Sequence, residues 1–331
     1  MGATNCGCRK RCPARGKQGA LRQALTSARQ RRWRGVRKVA RVAYLTARSY
    51  RGAPLPPGAV PPVEEASRDL ILAAGKKHGI DFQVVYWDEM DLPQRDFDLA
   101  VIRTTWDYHE RVDQFLSTLE THERNGLRVL NAPDVVRWNM RKTYLKELGP
   151  SAIETVWTDA PDARTVAQAF DALDAAEIVV KPQVGAGSIR TVRLSRNSWS
   201  EADLIHGPIG PAMIQPYLRA IETEGERSLF WFGGVYSHAV RKIPASGDWL
   251  ANVPGARFVA EAPPAAAVEA AEAARIRAPK DLLYVRIDLV LGDDSAWRVI
   301  EIEAIEPYLF LDLAPEGADA FAGAIARVLG L

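Results

Sequence analysis

Residues 284–303 read Tyr-Val-Arg-Ile-Asp-Leu-Val-Leu-Gly-Asp-Asp-Ser-Ala-Trp-Arg-Val-Ile-Glu-Ile-Glu, a stretch that has few ways to fold. Val285, Ile287, Leu289 and Leu291 alternate with Arg286 and Asp288, a turn-forming Gly292-Asp293-Asp294-Ser295 follows, and a second run reaches Glu303. The pattern predicts a β-hairpin. With the turn centred between Asp293 and Asp294, Arg286 is expected opposite Glu301, and Asp288 one pair nearer the turn. A period of two gathers Arg286, Asp288, Glu301 and Glu303 on one face, with Asp288 and Glu301 at diagonal reach. Three converging carboxylates repel one another unless a cation compensates them, and their hard oxygens suit Mg²⁺ or Mn²⁺. The arginine among them suits a place where phosphate and metal meet. An ordinary hairpin whose polar face meets water satisfies the periodicity equally.

At 331 residues, 47% apolar and 25% charged, the chain has the composition of a soluble, cytoplasmic enzyme of two or three domains. No apolar run is long enough for a membrane helix, and no apolar h-region marks a secretory signal. The net charge of +2 hides an asymmetry, because residues 1–38 hold twelve Lys or Arg and no acid, so the remainder is net acidic. All three cysteines (Cys6, Cys8, Cys12) lie in this leader, so the body can hold no disulfide, and the three fall short of a four-ligand zinc set. The leader lacks apolar periodicity and aromatic interleaving, and reads as a disordered extension or an overlong start. Competing readings are a nucleic-acid tail, an anionic-surface tether and a transit peptide.

From residue 39 onward, strands are expected at 38–46, 82–87, 98–103 and 127–130, with helices at 63–78 and about 110–125 and a proline-rich loop at 54–62. The alternation predicts a small parallel α/β domain over 39–133, without a dinucleotide-binding glycine fingerprint. The loop Thr104–His109 stands at the carboxyl end of a strand, a place for substrate or for a packed aromatic corner. A helix over 134–148 would carry Asn139 and Lys142 on neighbouring turns. Beyond it, Ile178–Pro182 leads into a glycine loop where Gly185 and Gly187 let backbone N–H groups approach a phosphate and Lys181 adds a point charge. An ordinary hairpin tip looks the same. Ala212–Leu218 reads as a strand broken by Pro216, leaving unpaired backbone for an adenine edge. Strands at 228–232 and 235–241, a mobile loop at 244–262, an alanine-rich helix at 265–278 and a closing helix at 318–331 complete the reading.

Taken in order, Lys142, Val-Val-Lys181-Pro before a glycine loop, Gln215-Pro-Tyr-Leu, Gly-Glu226, Arg286-x-Asp288 and Glu301-x-Glu303 resemble the ATP-grasp superfamily, over about residues 40–331. The blocks Trp106-Asp-Tyr-His, Asn131-Ala-Pro, Trp138-Asn, Lys142-x-Tyr-Leu, Ser237-His-Ala-Val and Ile305-Glu-Pro are similar to those of its glutathione-synthetase-like branch, and most of all to the O-ureido-serine cyclo-ligases of cycloserine biosynthesis.

The resemblance implies an ATP-grasp α/β fold, with two α+β subdomains clasping ATP. The ATP-grasp domain would span 134–331, its nucleotide-clasping part about 150–218 and its catalytic part about 219–331. Lys142 and Lys181 would hold the ATP phosphates, Gln215 and the backbone through Tyr217 and Leu218 the adenine, and Glu226 the ribose. Asp288, Glu301 and Glu303 would bind Mg²⁺. Arg286 would stabilise the transferring phosphoryl group, with Arg241 and Lys242 as lesser catalytic candidates. Two departures stand out: Glu303 replaces a common Asn, and Gly255-Ala256 replaces paired glycines.

The implied activity is ATP-dependent ligation of a small amino-acid-like carboxylate to an amine-type nucleophile, between molecules or within one, releasing ADP and phosphate. A small-molecule kinase of the same shape is the alternative, and a nucleic-acid-binding protein acting through its leader a more distant one. The partners implied are small molecules, with no membrane and little for nucleic acid, while homo-oligomerisation is left open.

Overall fold

In the computed structural model the described residues are 39–48, 63–185, 187–251 and 255–331. The basic leader with its cysteines and the proline-rich loop lie outside them. Residues Ala40–Leu331 form one compact unit.

The expected parallel α/β part is present. β1 (Ala40–Thr46), α1 (Val63–Lys77), β2 (Ile80–Tyr86), β3 (Leu99–Thr104), α2 (Val112–Arg124) and β4 (Val129–Leu130) follow one another. The sheet is parallel with order β2-β1-β3-β4. β3 is buried along its whole length, and its apolar run Leu99–Ile102 suits a strand covered on both faces.

The helix expected over 134–148 is broken. α3 (Pro133–Asn139) stops, Arg141 is extended (φ −119°, ψ 117°), and Lys142–Ser151 continues as 3₁₀ turns past Gly149 at φ 54°. Lys142 therefore does not sit on an α-helix with Asn139. The break has a physical reason, which the later strands reveal.

A second sheet contains β5 (Val156–Thr158), β6 (Glu177–Pro182), β7 (Val192–Ser195) and β8 (Ala212–Pro216), with α4 (Ala163–Ala172) packed on it. Its order is β5-β8-β6-β7. β8 is thus an inner strand, not the edge expected from Pro216. The proline is tolerated because it falls at the strand's end, and the next N–H, that of Tyr217, donates to the Glu177 carbonyl at 2.9 Å.

The third sheet follows a short helix, α5 (Ala220–Thr223), and holds β9 (Glu226–Phe232), β10 (Val235–Ile243) and β11 (Arg257–Ala260). After α6 (Ala265–Arg277) come β12 (Tyr284–Leu291), β13 (Trp297–Glu303) and α7 (Glu316–Leu329), and the order is β11-β10-β9-β12-β13. The loop expected over 244–262 is therefore partly a strand. One face of this sheet packs Leu229, Trp231, Val285 and Ile287 under α6, where Ala267, Ala271 and Ala274 let the helix lie close. The other face begins apolar, with Phe230, Phe232 and Tyr284 sharing a core with β1 and Phe321 of α7. Farther along, the same face turns polar.

β13 is an edge strand, and side chains close its open backbone. The Asn139 amide donates to the Ile302 carbonyl (2.7 Å) and accepts from Ala304 N–H (2.8 Å). The Tyr144 hydroxyl donates to the Ile302 carbonyl (2.8 Å) and accepts from Ile302 N–H (2.9 Å). The break after Asn139 allows both side chains to reach the same edge. Asn131 does the same between β12 and β13, donating to the carbonyls of Tyr284 (2.9 Å) and Ala304 (2.8 Å) and accepting from Leu283 N–H (2.7 Å). Among the described residues no helix is long and apolar enough to cross a membrane.

Asn131→Ala would leave three buried backbone groups without partners. We expect it to lower the unfolding free energy by about 2–4 kcal/mol, read from the shift of the urea midpoint at unchanged slope.

Candidate active site

The hairpin places its charged side chains on one face, but in a different register from the one expected. Leu291 pairs with Trp297 and Leu289 with Val299, so the turn is Gly292–Ala296; then Asp288 pairs with Glu301 and Arg286 with Glu303. Ile300 is an extra residue, a β-bulge. Were Ile300 paired in the ladder instead, it would face Asp288, and Glu301 and Glu303 would point to the α6 side. The longer turn and the bulge each shift the pairing by one. Together they restore the expected face.

On that face a row of charges crosses four strands. Lys242 of β10 lies opposite Glu226 of β9, and Ser228 of β9 opposite Asp288 of β12, which in turn faces Glu301 of β13. Asp288 is 2% exposed. It accepts from Ser228 Oγ (2.6 Å), Arg286 Nε (2.9 Å), Arg286 Nη2 (2.8 Å) and Lys242 Nζ (3.1 Å). Burial opposes its ionisation, but Arg286 and Lys242 hold its pKa below the usual carboxylate range. Lys242, fully buried, also pairs with Glu226. Burial raises the pKa of Glu226 despite that lysine.

Beside Asp288, Arg286 also binds Glu303, and Glu301 is held by Lys142 Nζ at 3.0 Å. Lys142 donates to the Gly185 carbonyl as well (2.8 Å), tying the glycine loop to the hairpin. Glu303, the departure from the family pattern, is pushed up to about 7 by burial and by Glu301 and Asp288, against the pull of Arg286. The resident cations therefore leave negative charge uncompensated. Ligand oxygens of Asp288, Glu301 and Glu303 lie within 4.8 Å of one another, a donor set that fits a hard divalent cation.

Across from this row stands Lys181 of β6. It has no hydrogen-bond or ion-pair partner among the described residues, and burial lowers its pKa while Glu301 and Glu226 hold it up. An unpartnered, enclosed ammonium suits an anion such as phosphate. Gly187, at φ 62°, has open space where a Cβ would stand, and at Gly185 a Cβ would meet Pro182 at 3.0 Å. Gln215 is buried, its amide donating to Thr155 Oγ1 (3.0 Å) while its Oε1 has no partner, an acceptor suited to an exocyclic amine such as that of adenine. The Tyr217 hydroxyl donates to Glu222 (2.6 Å), and Leu218 offers its carbonyl to Ile221 N–H (3.2 Å).

Of the two lesser catalytic candidates, one is turned away from the site and the other is enclosed within it. Arg241 alternates onto the α6 side, bonded to the carbonyls of Glu224 and Thr223 at 2.7 Å each, so the structure does not bring it to the carboxylates. Lys242 is sealed between Glu226 and Asp288 and acts as their counter-ion. Ser228, missed in the sequence, joins the site by register alone. Glu306 and Tyr108 lie near enough to feel it: burial and Glu303 raise the pKa of Glu306 well above the usual carboxyl range, and burial and Glu306 raise the pKa of Tyr108. A separate cavity of about 650 Å³ beside Gly233 and Gly234 contains none of these residues.

Comparison with known proteins bears on this arrangement. Residues 42–131 match the family described as the N-terminal domain of D-cycloserine synthetase DcsG. The chain is 31% identical over 290 residues to the cycloserine biosynthesis protein DcsG of Streptomyces lavendulae, covering 82% of this chain and 93% of that protein. The crystal structure of D-cycloserine synthetase DcsG superposes with a TM-score of 0.73 at 26% identity, covering 88% of this chain and all (100%) of that one. The ATP-grasp ligase PsnB, crystallised with a precursor variant, Mg and ADP, has the same fold at 16% identity and TM-score 0.57, covering 88% and 98% of the two chains.

A raised Glu303 pKa has a signed consequence for stability. The folded state holds the proton to about pH 7, whereas an unperturbed glutamate loses it near 4.5, so stability falls as pH rises between these values. Without divalent cation, we expect the wild type to lose about 1–2 kcal/mol more than Glu303→Gln across this window in urea titrations. Millimolar Mg²⁺, which favours the ionised carboxylate, is expected to remove the difference.

Proposed function

Given that this chain belongs to the ATP-grasp family of D-cycloserine synthetase DcsG and is an ATP-dependent carbon–nitrogen ligase, we propose that it activates a small amino-acid-like carboxylate on the polar face of β9, β12 and β13. The observation that carries this reading is Lys181, an enclosed and unpartnered lysine set across from the carboxylate row.

ATP-grasp ligases use ATP and Mg²⁺. Here Asp288, Glu301 and Glu303 would hold Mg²⁺, which when bound neutralises the charge of the transferring phosphoryl group. Lys181 and Lys142 would take the phosphate oxygens, the Gly185–Gly187 loop would lie along them, and Gln215 with the Tyr217–Leu218 backbone would receive the adenine. Glu226 would reach the ribose only by sharing its carboxylate with Lys242. On this reading residues 39–133 are the N-terminal domain, about 150–218 clasp the nucleotide, and about 219–331 carry the carboxylates.

The chemistry follows from the poor electrophilicity of a carboxylate, whose attack by an amine would have to expel oxide. A carboxylate oxygen attacks the γ-phosphorus and ADP departs. The nucleophilic nitrogen then adds to the acyl carbon, loses its proton, and phosphate leaves with the C–O electron pair. Arg286 lies where it can stabilise the negative charge of both steps. Because the relatives include a cycloserine synthetase, the reading extends to ring closure within one substrate, O-ureido-serine being the first compound to try.

The test is ADP release from Mg-ATP with O-ureido-serine and a panel of amino acids, with and without hydroxylamine, followed by mass spectrometry. Hydroxamates, amides or a cyclised product would support acyl-phosphate chemistry, whereas a persistent phosphorylated product would replace the ligase with a kinase. Lys181→Ala is expected to raise the Kd for Mg-ATP at least tenfold by calorimetry. Glu301→Gln is expected to cut ADP release by about a hundredfold or more at fixed Mg²⁺.

A further inference from the structure

Two buried polar groups beside the carboxylate row are left unused by this chemistry. Glu306 is 9% exposed and Tyr108 6% exposed. Neither the Glu306 carboxyl nor the Tyr108 hydroxyl has a hydrogen-bond partner among the described residues. They come from different parts of the chain, and although both residues are buried as a whole, neither the carboxyl nor the hydroxyl is among the fully buried atoms left without a partner, so their oxygens open onto space that a ligand can enter. Their surroundings agree: Glu306 feels Glu303, Lys142 and Glu301, and Tyr108 feels Glu306, Glu303 and Glu301.

Backbone contacts hold the pair in place. Segment 305–308 is threaded between the end of β3 and β12. Tyr284 donates its hydroxyl to the Ile305 carbonyl (2.7 Å), Trp106 Nε1 donates to the Glu306 carbonyl (3.0 Å), and Arg103 Nη2 donates to the Pro307 carbonyl (2.7 Å). The backbone of Glu306 is thus fixed while its carboxyl is kept for something else.

We propose that Glu306, with the Tyr108 hydroxyl beside it, receives the ammonium group of an α-amino-acid substrate and so selects amino acids over plain carboxylic acids. This rests on the ligase reading above. An ammonium suits the place better than a second metal ion. One carboxylate and one phenol offer too few hard oxygens for Mg²⁺, whereas they match a donor with three N–H bonds. The assignment also orients the substrate, since an amino group held at Glu306 leaves the carboxylate of the same molecule to point toward Arg286 and the metal ligands.

The experiment uses the full chain with saturating Mg-ATP and two compounds that differ only in the amino group: O-ureido-serine and 3-(ureidooxy)propanoic acid. The wild type is expected to show a KM at least tenfold lower for the first. Glu306→Gln is expected to raise that KM at least tenfold, leaving the second compound's KM and the Mg-ADP affinity within twofold, and Glu306→Asp to recover part of the loss. Tyr108→Phe is expected to raise the same KM several-fold. Equal KM values in the wild type, or discrimination that survives Glu306→Gln, would overturn the assignment, as would a raised Mg²⁺ requirement, which would give Glu306 to the metal instead. If neither compound is turned over while Mg-ADP still binds by calorimetry, the ammonium assignment falls and the nucleotide site stands. If Mg-ADP does not bind, the ligase reading falls with it.

Discussion

Asp288 is a carboxylate almost wholly removed from water, and much of the catalytic sheet is arranged to keep it ionised. Taking such a group out of water costs several kcal/mol, which only close opposite charges and hydrogen bonds can offset. Arg286, Lys242 and Ser228 supply them. Each partner then creates its own requirement. Lys242, fully buried, needs Glu226, and Arg286 extends to Glu303. The result is a chain of alternating charges over four strands, in which loss of Lys242 leaves Glu226 without its cation and loss of Arg286 does the same to Glu303. At the Glu301–Glu303 end the alternation runs short of positive charge, and that is where a divalent cation fits.

The hydrophobic cores give this row its setting. The parallel sheet and the β9–β13 sheet share a core through Val42, Tyr44, Phe230, Tyr284 and Phe321, so the carboxylates are fixed relative to the N-terminal strands and to the segment that carries Glu306. The β5–β8 sheet has a core of its own, built from Val166, Phe170, Ile178, Val180 and Ile214. Lys181 and the glycine loop belong to that sheet, whose Met213 also joins the core under α6, and Lys142 ties the two sheets with one ammonium bonded to Gly185 on one side and Glu301 on the other. The lysines of one sheet thus meet the carboxylates of the other.

How much of this was legible in the sequence depended on the range of the forces involved. Strand and helix positions follow from local periodicity, so the parallel part, α6 and the charged face of the hairpin could be read directly. The break after Asn139 could not, because it answers to the open edge of β13, some 160 residues away (Ile302). Pro216 suggested an edge strand, yet its place at the end of β8 costs the ladder little. Arg241 and Lys242 are neighbours in sequence and looked alike, and only the sheet's register shows that one faces α6 and the other Asp288. Glu306 was visible only as part of a family-like block. Its missing partner is a property of three dimensions.

Ile300 illustrates a different kind of constraint. It stands outside the ladder, between the Leu289–Val299 pair and the Asp288–Glu301 pair, so one residue more or less at this point leaves Glu301 and Glu303 on the face they already hold. Drawn into the ladder, the same residue would carry both glutamates to the α6 side and Ile302 out of the core. The face of the carboxylates is therefore set by which residues pair, not by how many lie between the turn and the site. A bulge of this kind lets a strand absorb a change of length without a change of chemistry.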